Sequence, residues 1–142
     1  MDSKNFFLSF GKSLYHVDSI YDNIAKNGNV SPTLLWILYA LNDGKTHTQK
    51  DVCFDWSLPK STVNTLIGEL KSKNYVVLIP VKGTRREMTI TLTTKGKEYA
   101  DGVLKEIYEK EARVFEKLGF DSDKFIENMK KLEQALSSEK GV

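Results

Sequence analysis

Apolar residues recur at three- and four-residue steps along most of this chain, the spacing that gives an α-helix one buried face. Ser31 before Pro32, and Thr48 three residues before Asp51, are typical of helix starts. The helix after Pro32 is apolar on most sides, so we expect it to be buried. The predicted helices cover residues 4–26, 32–41, 48–55, 59–73, 94–118 and 122–136.

The period changes to two between residues 75 and 93. Residues 75–81 are rich in β-branched side chains, and residues 87–93 alternate apolar residues with threonine. Lys82 to Arg85 form the turn between them, which predicts a β-hairpin. The chain is therefore expected to be mainly α with a small β-hairpin, an α+β protein.

Positive charge is concentrated in the middle of the chain. The 142 residues carry a net charge of only +2, but residues 45–97 hold 10 basic and 4 acidic side chains, a balance of +6. Such a basic segment is where a nucleic-acid surface would lie. From charge alone, the alternative is that these basic residues are clustered by chance on a solvent-exposed surface.

Two short helices followed by a basic hairpin predict a winged helix-turn-helix. The outward face of the 59–73 helix is small and polar, and a helix of that kind fits a DNA major groove. The arginines of the hairpin suit a minor groove or a phosphate. The candidate DNA-binding residues are Thr48, Gln49, Lys60, Ser61, Thr62, Asn64, Thr65, Lys82, Arg85 and Arg86.

The same segments resemble the MarR family of bacterial transcriptional regulators. The helix-turn-helix resemblance rests on residues 48–51, 58–66 and 70–76, and the wing resemblance on Arg85-Arg86 followed by the Leu-Thr-Thr-Lys-Gly sequence at 92–96. Two positions depart from the family pattern. Thr84 replaces an aspartate that usually orients the wing arginine, and Asn74 replaces a glycine that ends the second helix.

The resemblance implies a homodimer that binds a pseudo-palindromic site on double-stranded DNA. Its winged-helix lobe would be residues 31–97, and the long terminal helices in residues 1–30 and 98–142 would form the dimer. The sequence agrees, because residues 4–26 and 98–136 carry more apolar surface than one small lobe can cover. A repressor is favoured over an activator.

An aromatic set is the candidate effector pocket for a small molecule, although the same side chains also fit a plain core. Cys53 is the single cysteine, so no intrachain disulfide can form. We expect Cys53 to be a core thiol rather than a redox sensor. The candidate pocket residues are Phe10, Tyr15, Trp36, Tyr39 and Tyr108.

The remaining functional classes have little support. The two histidines and Cys53 lack metal-ligand spacing, and no nucleophile–base pair or phosphate loop is present in the sequence, so neither a cofactor nor catalysis is expected. No signal peptide or membrane span is expected, which favours the cytoplasm. Two alternatives stay open. One is a winged helix that binds a protein in place of DNA, and a pull-down with genomic DNA fragments would distinguish it from a DNA-binding protein. The other is a small-molecule-binding protein without DNA activity.

Overall fold

Several helices begin where the sequence supplies a side-chain cap. The computed structural model describes residues 1–141. Ser31 Oγ accepts a hydrogen bond from the Leu34 amide at 3.1 Å, and Thr48 Oγ1 accepts from the Asp51 amide at 3.0 Å. The helices are α1 (Ser3–Asn27), α2 (Pro32–Leu41), α3 (Gln49–Asp55), α4 (Lys60–Ser72), α5 (Thr94–Glu116) and α6 (Ser122–Ser138).

The predicted hairpin is part of a three-stranded antiparallel sheet. The strands are β1 (His47–Thr48), β2 (Val76–Pro80) and β3 (Met88–Leu92), in the spatial order β1-β3-β2. Strand β1 was not predicted, because a strand of two residues is too short to show an alternating pattern of its own. In the sheet, His47 lies opposite Ile90, and this pairing fixes the entrance to α3.

Left-handed backbone conformations mark three of the turns between helices and strands. Asn29 has φ 57° after α1, Ser57 has φ 49° between α3 and α4, and Asn74 has φ 62° after α4. Asparagine tolerates this region better than most residues because its short side chain can bond locally. The substitution of asparagine for glycine at position 74 is therefore compatible with the turn.

The hydrophobic core lies under α2 and receives one face from each neighbouring element. Ile37 and Leu38 of α2 are completely buried, and so are Val63 of α4 and Ile90 of β3. Leu104, one of the buried residues of α5, belongs to the same compact unit, which spans Met1–Ile107. The mainly helical fold with a small β-sheet is confirmed, and its core holds the helix-turn-helix against the sheet.

Gly96 joins the base of the hairpin to the start of α5. A Cβ atom at this position would lie 1.8 Å from the carbonyl oxygen of Tyr75, so the two backbones are in direct contact. Thr93 reinforces the junction: its amide donates to the Tyr75 carbonyl at 3.0 Å, and its hydroxyl donates to the Asn74 carbonyl at 2.7 Å. The Tyr75 and Tyr99 rings stack with centroids 4.4 Å apart.

The second compact unit spans residues 108–142 and contains the end of α5 and all of α6. No described residue of α6 is buried, although Phe125 and Leu136 are apolar and about half exposed. Its first turn is capped by Asp121, which accepts from the Lys124 amide at 3.0 Å. Within residues 1–141, none of the helices has both the length and the apolar character that a bilayer crossing needs.

The Gly96 junction predicts a strong effect of one added methyl group. We expect Gly96→Ala to reduce the free energy of unfolding by about 3 kcal/mol, because a Cβ overlapping a backbone carbonyl forces α5 or the hairpin to shift. Urea denaturation followed by circular dichroism measures this loss.

The matched control is Gly102→Ala in the same helix, where an added Cβ meets no atom within 4 Å. It should gain about 0.5–1 kcal/mol from the higher helix propensity of alanine. Equal effects of the two substitutions would contradict the proposed contact.

Asp43 links the loop after α2 to the sheet, and this predicts a pH effect. Its Oδ1 lies 2.8 Å from His47 Nε2, and this hydrogen bond holds the pKa of Asp43 below its ordinary value of 3.8. A lowered pKa adds stability above pH 3.8, which is lost as the pH falls through the folded-state value.

We therefore expect the wild type to exceed Asp43→Asn in stability at pH 6, by about 1 kcal/mol or less because the Asp43 side chain is 42% exposed and solvent screens the pair. The difference should shrink toward pH 2.5 as the carboxylate is protonated. Denaturation at several pH values measures it, with Asp55→Asn at the exposed end of α3 as the control. A difference independent of pH would show that the Asp43 carboxylate does not carry the effect.

Candidate nucleic-acid interface

The outward face of α4 is polar and open to solvent. Val63, Ile67 and Leu70 are buried on its inner side, and this anchors the helix. Ser61 and Thr65 are exposed on the opposite side, as the helical spacing predicted. The Thr65 hydroxyl donates to the Ser61 carbonyl at 3.0 Å, so its oxygen remains able to accept a bond.

The start of α4 has no side-chain cap. Pro59 is the N-cap residue and supplies no side-chain hydrogen bond to the first turn. The amide groups of that turn, together with the helix dipole, therefore attract an anion such as a phosphate. Lys60, the first residue of the helix, is exposed and adds a full positive charge at the same end.

The first helix of the pair contributes two of the predicted residues, Thr48 and Gln49. Thr48 is half-buried and its hydroxyl oxygen already caps α3, so its role in the fold is structural. Gln49 is also half-buried, and its Nε2 donates a hydrogen bond to Oδ1 of Asn64 on α4. From the sequence, Gln49 and Asn64 were expected to contact DNA separately, since they lie 15 residues apart.

The tip of the wing carries its cations on a short glycine turn. Gly83 has φ 83°, a conformation that favours glycine, and Lys82, Arg85 and Arg86 around it are exposed. The Thr84 hydroxyl donates to the Val81 carbonyl at 2.9 Å, so this side chain stabilises the turn in place of orienting an arginine. Within residues 1–141, neither arginine takes part in an ion pair.

A cleft of about 620 Å³ lies between α3, the start of α4 and the wing. It brings together five of the predicted DNA-binding residues. The other five, on the rest of α4 and at the wing tip, do not line it. The complete lining is Thr48, Gln49, Lys50, Cys53, Lys60, Asn64, Arg86, Glu87 and Met88.

Charge in the cleft is predominantly positive. Lys50, Lys60 and Arg86 supply three cations against the single carboxylate of Glu87, a balance of +2. Lys50 was not among the residues predicted from the sequence, although its position directly after Gln49 in a predicted DNA-binding helix was a usable signal. A concave surface with this charge attracts phosphate groups from solution.

Cys53 is not the core thiol that the sequence led us to expect. It is half-buried and lines the cleft, because Val52 occupies the inward face of α3 and Cys53 lies about 100° further round the helix. Within residues 1–141, no three or more His, Cys, Asp or Glu side chains are grouped so that they could hold a metal ion.

The predicted effector residues fall into different surroundings. Trp36 stacks on Trp56 with centroids 5.4 Å apart, and Tyr39 meets the same Trp56 ring edge-on at 5.7 Å. Phe10 stacks instead on Phe6 in α1, with centroids 6.4 Å apart. Tyr15 is 74% exposed.

Tyr108 belongs to the second compact unit. Within the first compact unit, Trp36 and Tyr39 of this set lie together. Trp56, which was not among the predicted residues, lies in the turn after α3 and completes their cluster.

A helix-turn-helix with an exposed polar second helix, packed beside a basic hairpin, defines a winged-helix protein. Residues 29–87 of the chain match the sequence model of the MarR family. The resemblance to that family is thus confirmed over the helix-turn-helix and most of the wing. No curated protein matches the sequence.

Solved structures extend this likeness along nearly the whole chain. NMB1585, a MarR family regulator from Neisseria meningitidis, aligns with a TM-score of 0.80 and 22% identity over 96% of this chain and 95% of that one. Staphylococcus aureus MarR, in complex with salicylate and kanamycin, aligns with a TM-score of 0.68 and 20% identity, covering 97% and 94%. Reduced AbfR bound to DNA gives a TM-score of 0.63 at 18% identity, covering 95% and 91%. The chain has the fold of MarR family regulators.

Proposed function

We propose that this protein is a sequence-specific regulator of transcription that binds double-stranded DNA as a homodimer. The observation that carries the proposal is the cleft in which Lys60 and Asn64 of α4 and Arg86 of the wing lie together. One surface thus combines a recognition helix, positive charge and an arginine-bearing hairpin. We assign no enzymatic activity or cofactor to it.

The geometry suits a major groove and the backbone beside it. The groove is about 12 Å wide and admits one helix. Ser61, Asn64 and Thr65 are exposed on the outer side of α4 and are short enough to let the backbone approach base edges. The uncapped first turn of α4 and Lys60 would bind a phosphate at the edge of the major groove. Arg85 and Arg86 would contact the neighbouring minor groove or the DNA backbone.

The comparison with AbfR supports the choice of ligand, since that protein has the same fold and its structure was solved bound to DNA. In this proposal the chain acts as a repressor, because a dimer spread over two half-sites covers DNA that RNA polymerase would otherwise occupy. It would act in the cytoplasm, where bacterial promoters are accessible.

A homodimer is supported by apolar side chains that α1 and α6 leave uncovered. On α1, Phe7 is 44% exposed and Val17 is 54% exposed, and on α6 Phe125 is 49% exposed. Exposed apolar side chains in this number are typical of protein interfaces. The dimerisation segments 1–30 and 98–142 remain a prediction, as does a spacing of about 34–36 Å between the two recognition helices.

Control by a small molecule is a further part of the proposal. Staphylococcus aureus MarR, which shares the fold, was solved with salicylate. The half-buried Trp36, Tyr39 and Trp56 rings form an aromatic cluster of the kind that such ligands contact. An effector would regulate binding only by favouring one arrangement of the two recognition helices over another.

DNA binding should depend steeply on salt, and Arg86 should account for part of that dependence. The logarithm of the binding constant is expected to fall linearly with the logarithm of salt concentration as condensed counterions are released. Arg86→Ala should weaken binding about ten-fold, equivalent to about 1.4 kcal/mol, and reduce the slope by about one. Gel-shift titrations on a selected DNA fragment at several salt concentrations measure both.

The control is Lys130→Ala on α6, which removes one positive charge outside the predicted DNA-binding segment. It should leave the affinity and the slope close to those of the wild type. A salt response that is flat for the wild type would refute DNA binding, and equal losses in the two variants would refute the role of Arg86.

Sedimentation should give twice the 16.2 kDa mass of one chain. Phe125→Asp should weaken the dimer about 30-fold or more, because a carboxylate would replace an apolar side chain at an interface and cost roughly 2 kcal/mol. Gln134→Asp, on the polar side of the same helix, is the control and should remain dimeric. A wild type that sediments as a monomer at micromolar concentration would contradict this part of the proposal.

A further inference from the structure

Three separate elements each contribute one cation to the cleft. Lys50 lies on α3, Lys60 is the first residue of α4, and Arg86 belongs to the wing. All three are exposed, and within residues 1–141 none of them takes part in an ion pair. Their charges are therefore not neutralised by acidic side chains of this chain, and the cleft suits a ligand that carries several negative charges in a row.

The place of the cleft between α4 and the wing indicates which part of the DNA it receives. In the proposed complex the outward face of α4 enters the major groove, and the wing reaches the neighbouring minor groove. One sugar–phosphate strand separates these two grooves on the surface of a duplex. Because the cleft lies between the two elements, that strand runs through it.

The two wing arginines differ in their relation to this strand. Arg86 lines the cleft together with Glu87 and Met88, whereas Arg85 is exposed on the wing and does not line it. A strand in the cleft is thus within reach of Arg86. Arg85 is the arginine that remains free to enter the minor groove beyond the strand.

We propose that the cleft holds one sugar–phosphate strand of the DNA site, that Lys50, Lys60 and Arg86 bind neighbouring phosphates of this strand, and that Arg85 is left to contact the minor groove. A strand carries one charge for about every 3.4 Å of helix axis, so cations lining one cleft can meet neighbouring phosphates. This inference rests on the proposed DNA-binding function and adds to it the part of the DNA that the cleft receives.

The single carboxylate of the cleft gives the proposal a consequence of definite sign. Glu87 is half-buried, lines the cleft and forms no ion pair within residues 1–141. A phosphate strand seated there would be repelled by it, so Glu87→Gln should tighten DNA binding about three-fold. The matched control is Glu98→Gln, which makes the same change in net charge on the exposed surface of α5 and should leave the affinity close to that of the wild type.

The decisive experiment combines protein variants with DNA sites in which one phosphate at a time is replaced by an uncharged methylphosphonate. On the unmodified site, Arg86→Ala should cost about ten-fold in affinity. On the site that lacks the phosphate contacted by Arg86, the same substitution should cost about two-fold or less, because the two changes remove one shared interaction. Lys60→Ala and Lys50→Gln should each lose their effect at a neighbouring phosphate of the same strand.

Arg85→Ala is the control within the wing. It should lower affinity by the same factor on all of these modified sites, since Arg85 lies outside the cleft. It should also weaken any preference for A·T-rich flanking sequence, whose narrow minor groove attracts arginine. Arg86→Ala should keep that preference.

Cys53 provides a second measurement that needs no variant. It is the single cysteine of the chain, and it lines the cleft. Iodoacetamide is uncharged, so DNA slows its reaction with the thiol only by covering it. Protein saturated with its DNA site should therefore be alkylated more slowly than free protein, and salt that releases the DNA should restore the free rate.

The outcomes separate this inference from the function on which it rests. If the wild type binds no DNA, both are refuted. If it binds DNA, any one of four results overturns the inference alone: Glu87→Gln does not tighten binding, Arg86→Ala costs the same on every modified site, the three cations respond to phosphates on different strands, or Cys53 in the saturated complex reacts at the free rate.

Discussion

The contact between Gly96 and the Tyr75 carbonyl is the constraint on which the arrangement of the winged-helix lobe depends. A side chain at position 96 would overlap that carbonyl, so α5 can start at the base of the hairpin only because this residue has no Cβ. Thr93 fixes the same point, since its hydroxyl donates to Asn74 and its oxygen accepts from the Gly96 amide at 2.9 Å. The end of α4, the base of β2 and the start of α5 are thereby tied into one rigid corner.

That corner explains how the cleft acquires its form. The left-handed Asn74 turns the chain directly from α4 into β2, and the antiparallel pairing then carries β3 back toward α3. Arg86 follows the turn at the tip and lines the same cleft as Lys60, and no ion pair among residues 1–141 holds it there. The position of the cationic side chain is therefore set by backbone geometry, and Thr84 contributes by stabilising the turn.

The sequence was sufficient for features that depend on local physics. Helix periodicity, the caps at Ser31 and Thr48 and the polar face of α4 each depend on residues a few positions apart, and all were predicted. The short strand β1 was missed because it exists only through its pairing with Ile90, far along the chain. The Gln49–Asn64 bond and the half-buried state of Cys53 were missed for the same reason, since both arise from the packing of one element on another.

The free edge of β2 has a consequence for self-association. The amide of Val81 donates to the Glu87 carbonyl, so Val81 directs its N–H toward β3. Alternate residues of a strand direct their N–H groups to opposite edges, so the amides of Val76 and Leu78 and the nitrogen of Pro80 lie on the side away from β3. Proline has no N–H, so the last residue of β2 offers no donor at this edge. This matters because β2 also carries the exposed apolar residue Ile79. A neighbouring molecule would find only a short, interrupted row of donors there, and growth of the sheet into a fibril is discouraged.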